Sequence, residues 1–321
     1  MDVKTPIDRI NYSGDIAAVI NELCELYGVG SPKEFHVMEI GYEDCNLVVQ
    51  TPSGKYLAKI FSKVRSPGDV VRYTTIMEKA LQAGVNHPAL MKTGSGKIAG
   101  EICGLSMVLM KFIEGKTFLD MDRLPTDQER GAVLEQAALV NSIDYRPTYF
   151  LDSWAIPNIK TMLGRVEKFI LPDDRKLVRR AVAIFDEVPM EKLPACFVHG
   201  DFTKANVLKG NDGKIYMLDF SVANWSPRIQ ELAVISANLL YDKSGSATLK
   251  DATEIVALEY GRLKELSAVE KRYLYPYALA GVAMEFMGAH QEKHLYGSDT
   301  PETDYWMNLG RNGLKKELSG I

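Results

Sequence analysis

The segment from His199 to Leu208, HGDFTKANVL, constrains the fold of this chain more than any other stretch. Asp201 is followed five residues later by Asn206 and then by an apolar strand pattern. An Asn-Asp-Gly turn at 211–213 leads into a second apolar stretch, which ends at Asp219. Asn, Asp and Gly favour tight turns because they tolerate a left-handed backbone. The pattern therefore predicts a β-hairpin that carries two carboxylates and one amide.

This set of side chains suits phosphoryl transfer from a nucleotide. The transition state is loose and leaves charge on the phosphoryl oxygens, so the protein mainly positions groups and supplies positive charge. Mg²⁺ is a hard cation that prefers oxygen ligands, such as the carboxylate of Asp219 and the side-chain carbonyl of Asn206. Asp201 is then available to accept the proton of a substrate hydroxyl. The alternative, that these are only turn residues of a hairpin, is less favoured.

The run HGDFTKANVL followed by LDF at 218–220 resembles the phosphotransferase family of aminoglycoside, choline, homoserine and methylthioribose kinases, which are relatives of protein kinases. The resemblance implies an α+β, bilobal, protein-kinase-like fold. It has a small antiparallel-sheet lobe with one helix and a larger, mainly helical lobe. The resemblance also implies that Asp201 is the catalytic base, that Asn206 and Asp219 hold Mg²⁺, and that ATP is the donor, with GTP left open. His199 is expected to brace the catalytic loop rather than to transfer a proton.

The amino-terminal part of the chain supplies the strands of the nucleotide-gripping lobe. Strand patterns run from Phe35 to Ile40, from Leu47 to Thr51 and from Lys55 to Phe61. Lys59 lies inside the third strand and corresponds to the family's lysine that holds the nucleotide phosphates. Taken alone, such a lysine would be interpreted as a solvated edge residue. The resemblance favours the phosphate-binding role.

A helix is predicted from Gly68 to Gly84 by its stripe of apolar residues. Glu78 lies on this helix and is the expected ion-pair partner of Lys59, by analogy with kinases. The alternative is that Glu78 is simply solvated, as most charges on amphipathic helices are.

The turn from Gly41 to Asn46 replaces the glycine-rich phosphate loop of protein kinases. Glu43 and Asp44 would repel a triphosphate, so their side chains are expected to face solvent. Backbone N–H groups or Asn46 would then contact the nucleotide. The short loop, and the absence of an APE segment after Asp219, argue against a protein kinase.

A strand from Leu105 leads into the expected hinge, where the backbone of Lys111 and of Ile113 would receive the nucleotide base. The lobe boundary follows the hinge. The sequence therefore predicts an N-lobe at 1–113, with the sheet, helix and hinge, and a C-lobe at 114–321, with the catalytic loop, the metal site and the acceptor-binding helices.

The C-lobe is predicted to be mostly helical. Capping boxes occur at Thr126 with Glu129 and at Ser267 with Glu270. Helical spacing also covers the following four segments: Ile159 to Phe169, Asp173 to Val188, Arg228 to Leu240 and Ala252 to Leu266.

Two further residues lie near the motif, Glu231 and Lys204. Glu231 stands where the family often has aspartate, and it is expected to act from outside the metal shell. Lys204 lies in the catalytic loop and could reach the transferring phosphoryl group, where a cation is valuable. An exposed loop lysine is an equal alternative for Lys204.

The acceptor is a small molecule with a hydroxyl group, such as homoserine, an amino alcohol, a sugar or an aminoglycoside. Carboxy-terminal acidic residues could bind a cationic acceptor, but a solvated helix face is the favoured explanation for them. Large aromatics such as Trp154, Trp225 and Trp306 are more often core residues than sugar-stacking ones. The acids in question are Glu259, Glu270, Glu285, Glu292, Asp299 and Glu302.

Composition further narrows the class of protein that this chain can be. The 321 residues are 46% apolar and carry a net charge of −4, which offers no basic surface for nucleic acid or membrane. No signal-peptide core or membrane-length apolar run is found, so a cytoplasmic enzyme is expected. Four dispersed cysteines indicate free thiols. A protein kinase and a nucleotide-binding pseudokinase remain the alternatives, and the sequence does not indicate an oligomeric state.

Overall fold

The structure is a computed structural model that describes residues 6–39, 41 and 43–319. It contains two compact units. The smaller unit comprises the chain up to residue 82 together with 87–114, and the larger one comprises 83–86 and the chain from 115 onwards. The predicted lobe boundary lies one residue before the division at 114/115.

The smaller unit is built on a five-stranded antiparallel sheet with the strand order β1-β2-β3-β5-β4. Gly54 begins β3 directly after the turn at 52–53, and its φ of +139° is a backbone conformation that other residues rarely adopt. The strands are β1 (Glu34–Val37), β2 (Cys45–Thr51), β3 (Gly54–Ile60), β4 (Ala99–Ile102) and β5 (Leu105–Lys111).

The predicted strands and the observed ones differ at two ends. The first strand was expected to continue to Ile40 but ends at Val37, and Ile40 itself lies outside the described residues, as does Tyr42 of the predicted turn. Cys45 and Asn46 were expected in that turn, yet they begin β2. Both pair with β3, because Cys45 is opposite Ile60 and Asn46 is opposite Lys59.

Three helices accompany this sheet: α1 (Pro6–Arg9), α2 (Ile16–Leu26) and α3 (Pro67–Gln82). Asp15 caps α2 by accepting a hydrogen bond from Ala17 N, and the apolar face of α2 packs on the sheet core. The predicted helix from Gly68 to Gly84 is observed as α3, which ends two residues earlier.

The larger unit contains two small antiparallel sheets and most of the helices. One sheet has the strand order β6-β8-β9 and the other pairs β10 with β7. Its strands are β6 (Gly115–Thr117), β7 (Ala195–Val198), β8 (Val207–Gly210), β9 (Ile215–Met217) and β10 (Asn224–Pro227). Its helices are α4 (Phe118–Met121), α5 (Asp127–Val140), α6 (Ile159–Val166), α7 (Pro172–Phe185), α8 (Ile229–Val234), α9 (Leu249–Leu263), α10 (Ala268–Gln291) and α11 (Pro301–Leu318).

Both predicted capping boxes are confirmed. The Thr126 side chain accepts from the Glu129 backbone at the start of α5, and the Glu129 side chain accepts from the Thr126 backbone. Ser267 and Glu270 make the same reciprocal pair at the start of α10. Each box satisfies two N–H groups that a helix start would otherwise leave unbonded.

The long helix α10 forms the centre of the larger unit. It packs against α6, α7, α8, α9 and α11, and it is buried around most of its circumference from Tyr277 onwards. A helix that is apolar on all sides is expected at the middle of a helical core. Two wider π-helical turns lie nearby, at Ile235–Leu240 after α8 and at Glu292–Tyr296 after α10.

No helix among the described residues is long and apolar enough to cross a membrane. The four cysteines, Cys24, Cys45, Cys103 and Cys196, are free thiols, as expected.

Candidate active site

The predicted hairpin is formed by β8 and β9 and brings the two expected metal ligands together. Val207 is opposite Met217 in this hairpin, and the next pair continues it, because Leu218 N donates to Asn206 O at 2.8 Å. Asp219 follows directly, with a left-handed φ of +55° that turns the chain away from the strand. Asn206 and Asp219 therefore lie at the same open end of the hairpin.

The side chain of Asn206 is hydrogen-bonded to Asp201. The amide Nδ2 of Asn206 donates to Asp201 Oδ2 at 2.6 Å and to the Asp201 backbone carbonyl at 3.3 Å. An asparagine amide has one donor end and one acceptor end. Since its nitrogen is held by Asp201, its Oδ1 is the end left for a metal ion.

The electrostatics of this cluster are strongly negative. The pKa of Asp201 is raised to about 7, first by burial and then by the nearby carboxylates of Asp152 and Asp219, although bonds from Thr203 and Asn206 lower it. Repulsion by these neighbouring carboxylates disfavours ionisation of Asp201 unless a positive charge binds nearby. The cluster is therefore suited to a cation.

A divalent hard cation fits the donors that are present. The Asp219 carboxylate is oriented by Ser221 N, which donates to its Oδ1 at 3.2 Å. Mg²⁺ typically takes one or two protein oxygens and completes its shell with phosphates and water. Within the described part of the chain, no group of three or more His, Cys, Asp or Glu residues is arranged to hold a metal alone. An amide and a carboxylate that share a cation with phosphates are consistent with that finding.

His199 braces the loop through both of its ring nitrogens. Nδ1 accepts from Asp201 N at 3.1 Å, so Nε2 carries the hydrogen and donates to Leu218 O at 2.9 Å. Burial lowers the pKa of His199 to about 4, which keeps the ring neutral. Because both nitrogens are engaged with the backbone, the geometry favours bracing over proton transfer.

Glu231 fixes the start of the same loop. Its carboxylate accepts from His199 N at 2.8 Å and from Gly200 N at 2.9 Å, and burial raises its pKa to about 7. Gly200 has a φ of +85°, a conformation that favours glycine. Glu231 therefore contacts the loop backbone and not the metal ligands, in line with the expectation from the sequence.

Lys204 is held by its backbone at both ends. Its N–H donates to Asn238 Oδ1 at 2.8 Å, and its carbonyl accepts from Leu119 N at 2.9 Å. The Lys204 side chain is half-buried, and its charge contributes to the lowered pKa of Lys243. The choice between a phosphoryl contact and a loop lysine stays a prediction.

Asp152 is a site residue that the sequence did not indicate. It lies in the irregular segment before α6, and its Oδ1 accepts from Trp154 N at 2.8 Å. The segment is fastened to α10, because Gln291 Nε2 donates to Ser153 Oγ at 3.1 Å and the Trp154 ring lies where a side chain on Gly288 would stand, 2.4 Å from the Cβ position. Only the folded helix core reveals this proximity, since nothing around Asp152 distinguishes it in the sequence.

The carboxy-terminal acids are less exposed than expected. Glu270, Glu285 and Glu292 are buried, so the solvated helix face was the wrong interpretation for these three. Glu270 is paired with Arg228, and Glu285 is bonded to Asn238 and Lys243. Burial of a carboxylate requires such partners. Of the tryptophans, Trp306 is buried, whereas Trp154 and Trp225 are partly exposed.

In the smaller unit, Lys59 is buried in β3 and paired with Asp44. Lys59 Nζ lies 3.1 Å from Asp44 Oδ2 and also sits over the ring of Tyr73. Asp44 Oδ1 accepts from Ser62 N and from Arg65 Nε, both at 3.0 Å. The expectation that Asp44 faces solvent was wrong, because a lysine buried in a sheet needs a counter-ion.

Glu43 and Glu78 behave differently from Asp44. The Glu43 side chain is 58% exposed, as expected, and bonds Arg65. Glu78 is half-buried on α3, and among the described residues the ion pair of Lys59 is formed with Asp44 instead. The expected pair between Lys59 and Glu78 is thus not formed in the structure.

Asn46 and the hinge residues keep positions compatible with their predicted roles. Asn46 lies directly opposite Lys59 in the β2–β3 pair, which places both side chains on one face of the sheet. Lys111 N already donates to Ala89 O at 2.8 Å, so a base contact there would have to use its carbonyl. No backbone bond to Ile113 is formed within the described residues, which leaves its N–H for a ligand.

Comparison with known proteins agrees with this geometry. Residues 35–266 match APH, the phosphotransferase enzyme family. The chain belongs to this family. It is 22% identical over 273 residues to homoserine kinase of Methylobacterium radiotolerans, a match that covers 84% of each chain.

Solved structures show the fold. The microcompartment-associated aminopropanol kinase superposes with a TM-score of 0.73 at 12% identity, covering 95% of this chain and 98% of that one. A spectinomycin phosphotransferase gives a TM-score of 0.70 at 11% identity, covering 95% and 99%. The predicted kinase-like α+β fold is confirmed, and the chain is a small-molecule kinase.

Proposed function

We propose that this phosphotransferase moves the γ-phosphoryl group of ATP to a hydroxyl group of a small molecule that also carries an amine. The arrangement of Asp201, Asn206 and Asp219 is the observation on which the proposal rests. It joins a base with an amide and a carboxylate of the kind that Mg²⁺ takes, within one loop and hairpin.

Asp201 is the base in the proposed reaction. It accepts the proton of the acceptor hydroxyl as the hydroxyl oxygen forms a bond to the γ-phosphorus, and the bond from phosphorus to the β,γ-bridging oxygen breaks to release ADP. The Asn206 amide holds the Asp201 carboxylate at 2.6 Å and so limits its rotation. Asn206 and Asp219 would hold Mg²⁺, which would supply positive charge to the phosphate oxygens when it is bound.

The smaller unit is proposed to hold the nucleotide. Lys59 is a buried ammonium with three hydrogen-bond donors, and it lies on the same face of the sheet as Asn46, so it is proposed to donate to phosphate in addition to contacting Asp44. The N–H of Ile113 and the carbonyl of Lys111 are proposed to receive the base.

An amine on the acceptor is favoured by Asp152. Its carboxylate is close enough to raise the pKa of Asp201, and a cation bound beside it would relieve that repulsion. Homoserine, aminopropanol, choline and ethanolamine, which appear in the names of related kinases, all carry a hydroxyl and a cationic nitrogen.

The test is ADP release from Mg-ATP or Mg-GTP in a coupled assay, with a panel of homoserine, aminopropanol, choline, aminoglycosides and neutral sugars. Wild-type protein should respond to at least one amine-bearing alcohol. Asp201→Asn should abolish turnover while Mg-nucleotide affinity stays within about threefold, because only the proton acceptor is lost. Asp173→Asn, on the exposed start of α7, is the matched control.

Asp152→Asn separates the acceptor class from the reaction itself. It should raise the KM for a cationic acceptor by about tenfold or more, since one charge contact is removed, and should leave the KM for ATP unchanged. Near-normal turnover in Asp201→Asn would refute the assignment of Asp201 as the base. An unchanged acceptor KM in Asp152→Asn, or a preference for neutral sugars, would refute the proposal that the acceptor carries an amine.

A further inference from the structure

One peptide unit of the catalytic loop is fixed from both ends. The carbonyl of Thr203 accepts from Asn206 N at 3.0 Å and from Val207 N at 3.1 Å. The N–H of the same peptide, which belongs to Lys204, donates to Asn238 Oδ1 at 2.8 Å. Because a peptide unit is planar, a side chain that fixes the direction of its N–H also fixes the direction of its carbonyl. Asn238 therefore influences the turn that presents Asn206.

The orientation of Asn238 is itself determined. Its Nδ2 donates to Glu285 Oε1 at 2.8 Å, and the other carboxylate oxygen of Glu285 accepts from Lys243 Nζ. The exposed fractions of Asn238, Glu285 and Lys243 are 4%, 8% and 8%. An ionised carboxylate only accepts hydrogen bonds, so the amide must turn its nitrogen to Glu285 and its oxygen to Lys204.

These residues come from separate parts of the larger unit. Asn238 lies on the π-helical turn Ile235–Leu240, Lys243 follows that turn, and Glu285 is on α10. A buried ion pair is a poor source of stability, because its desolvation cost offsets most of the attraction. π-helical turns occur frequently at functional sites. The polar chain from Lys243 to Asn238 ends on the backbone of the catalytic loop, which suggests that it serves the loop.

We propose that Asn238, oriented by Glu285 and Lys243, is a positioning residue for phosphoryl transfer. It sets the plane of the Thr203–Lys204 peptide and, through the bonds of Thr203 O, the position of Asn206, whose amide holds the Asp201 carboxylate. The proposal deepens the proposed function and rests on it. Asn238 does not contact the reacting atoms, so its loss should affect kcat and the metal requirement more than the KM for either substrate.

An exchange of side chains tests this arrangement directly. Asn238→Asp keeps an acceptor for Lys204 N but sets a second carboxylate against Glu285, and like charges at this distance repel. Adding Glu285→Gln restores the chain, because the new glutamine amide donates to the new aspartate while its carbonyl oxygen accepts from Lys243. The negative charge then lies on residue 238 instead of residue 285, and each of the three original hydrogen bonds has a counterpart.

The expected kinetic result is a loss of about 10- to 100-fold in kcat for Asn238→Ala and for Asn238→Asp, because small displacements of reacting groups reduce rates by that order. The Mg²⁺ concentration for half-maximal activity should rise in both. The double variant Asn238→Asp with Glu285→Gln should recover kcat to within about fivefold of wild type. Ser236→Ala is the matched control, since Ser236 is buried on the same turn and its hydroxyl donates to Leu232 O rather than to the catalytic loop.

A second readout does not depend on activity. Hydrogen exchange resolved at the Lys204 amide should be slow in the wild type, fast in Asn238→Ala, and slow again in the double variant, while the amides of β8 and β9 remain protected in all three. Protection of Lys204 that persists in Asn238→Ala, or an unchanged kcat in that folded variant, would overturn the proposal. A double variant as impaired as Asn238→Asp alone would also overturn it. Wild-type protein without kinase activity would refute the proposed function, whereas the exchange result tests the contact on its own.

Discussion

His290 on α10 is a buried histidine whose replacement should stabilise the protein. It is 4% exposed, and neither Nδ1 nor Nε2 has a hydrogen-bond partner within the described residues. Its neighbours are the ring of Phe286, which meets it edge-on, and the ring of His294, which stacks on it. A buried polar group without a partner costs about 1–3 kcal/mol. His290→Leu removes that cost and retains an apolar side chain of similar size.

The magnitude at pH 7.5 is the difference of two terms. Removing the unbonded nitrogens contributes about 1–3 kcal/mol, and losing the two aromatic contacts costs about 0.5–1.5 kcal/mol. His290→Leu should therefore raise the free energy of unfolding by about 1 kcal/mol at pH 7.5.

The pH dependence gives a stricter test. The pKa of His290 is lowered from 6.5 to about 4, first by burial and then by the charges of His294 and Arg311. The unfolded chain therefore binds the proton more readily, and the stability that neutral His290 contributes is present above pH 6.5 and is lost as the pH falls towards 4. At pH 5.0 the wild type has lost about 2 kcal/mol of this contribution to its free energy of unfolding. The advantage of His290→Leu should thus grow to about 3 kcal/mol at pH 5.0.

The assay is urea unfolding followed by circular dichroism at pH 7.5 and at pH 5.0. His36→Leu, in the exposed strand β1, is the control and should keep the wild-type difference between the two pH values. If His290→Leu destabilised the protein at pH 7.5, the ring nitrogens would have partners such as ordered water. If both proteins lost the same free energy between the two pH values, the attribution to His290 would be wrong.

Two further predictions concern the buried carboxylates of Asp44 and Glu129. Asp44→Asn removes the buried carboxylate that contacts Lys59 and Arg65, and it should lower the free energy of unfolding by about 3–5 kcal/mol in urea titrations. Glu43→Gln, at an exposed site, should change it by less than about 1 kcal/mol, and equal effects of the two changes would contradict the importance given to Asp44. Glu129→Gln removes the charge that Arg123 and Lys209 contact and weakens the capping box of α5, so it should cost about 1–3 kcal/mol at pH 7. Those contacts hold the pKa of Glu129 well below its usual value, so its contribution is fully present above about pH 4.5 and is lost progressively as the pH falls towards the folded-state pKa. The difference in free energy of unfolding between wild type and Glu129→Gln should therefore be smaller at pH 3 than at pH 7.

The part of the site that could be predicted from the sequence is the part that is local in the chain. Asp201, Asn206 and Asp219 are joined by a loop and a hairpin, so spacing and turn residues were enough to place them together. Lys59 was placed in its strand for the same reason. The catalytic loop is short, and backbone bonds from Asn206 N and Val207 N to Thr203 O close its turn.

The rest could not be predicted, because it depends on contacts between distant segments. Asn238 contacts the catalytic loop from a π-helical turn, and Asp152 lies near Asp201 in the segment before α6. Glu231 was expected near the site, but its bonds to the backbone of His199 and Gly200 were not predicted. The burial of Glu270, Glu285 and Glu292 follows from the position of α10 in the core, and sequence spacing alone gives a solvated face. Asp44 illustrates the same limit, since its role as an ion-pair partner arises only when Lys59 is buried beside it.

The contact between Trp154 and Gly288 has a consequence for changing the acceptor range by directed evolution. Any side chain larger than hydrogen at 288 would meet the indole ring, and that ring anchors the segment that carries Asp152. Mutations at 288 should therefore displace the whole segment and be rejected in a screen for folded variants. Libraries that retain this glycine and tryptophan together with Ser153, and that vary the side chains at 149–152, would explore new acceptors while both anchors of the segment to α10 are kept.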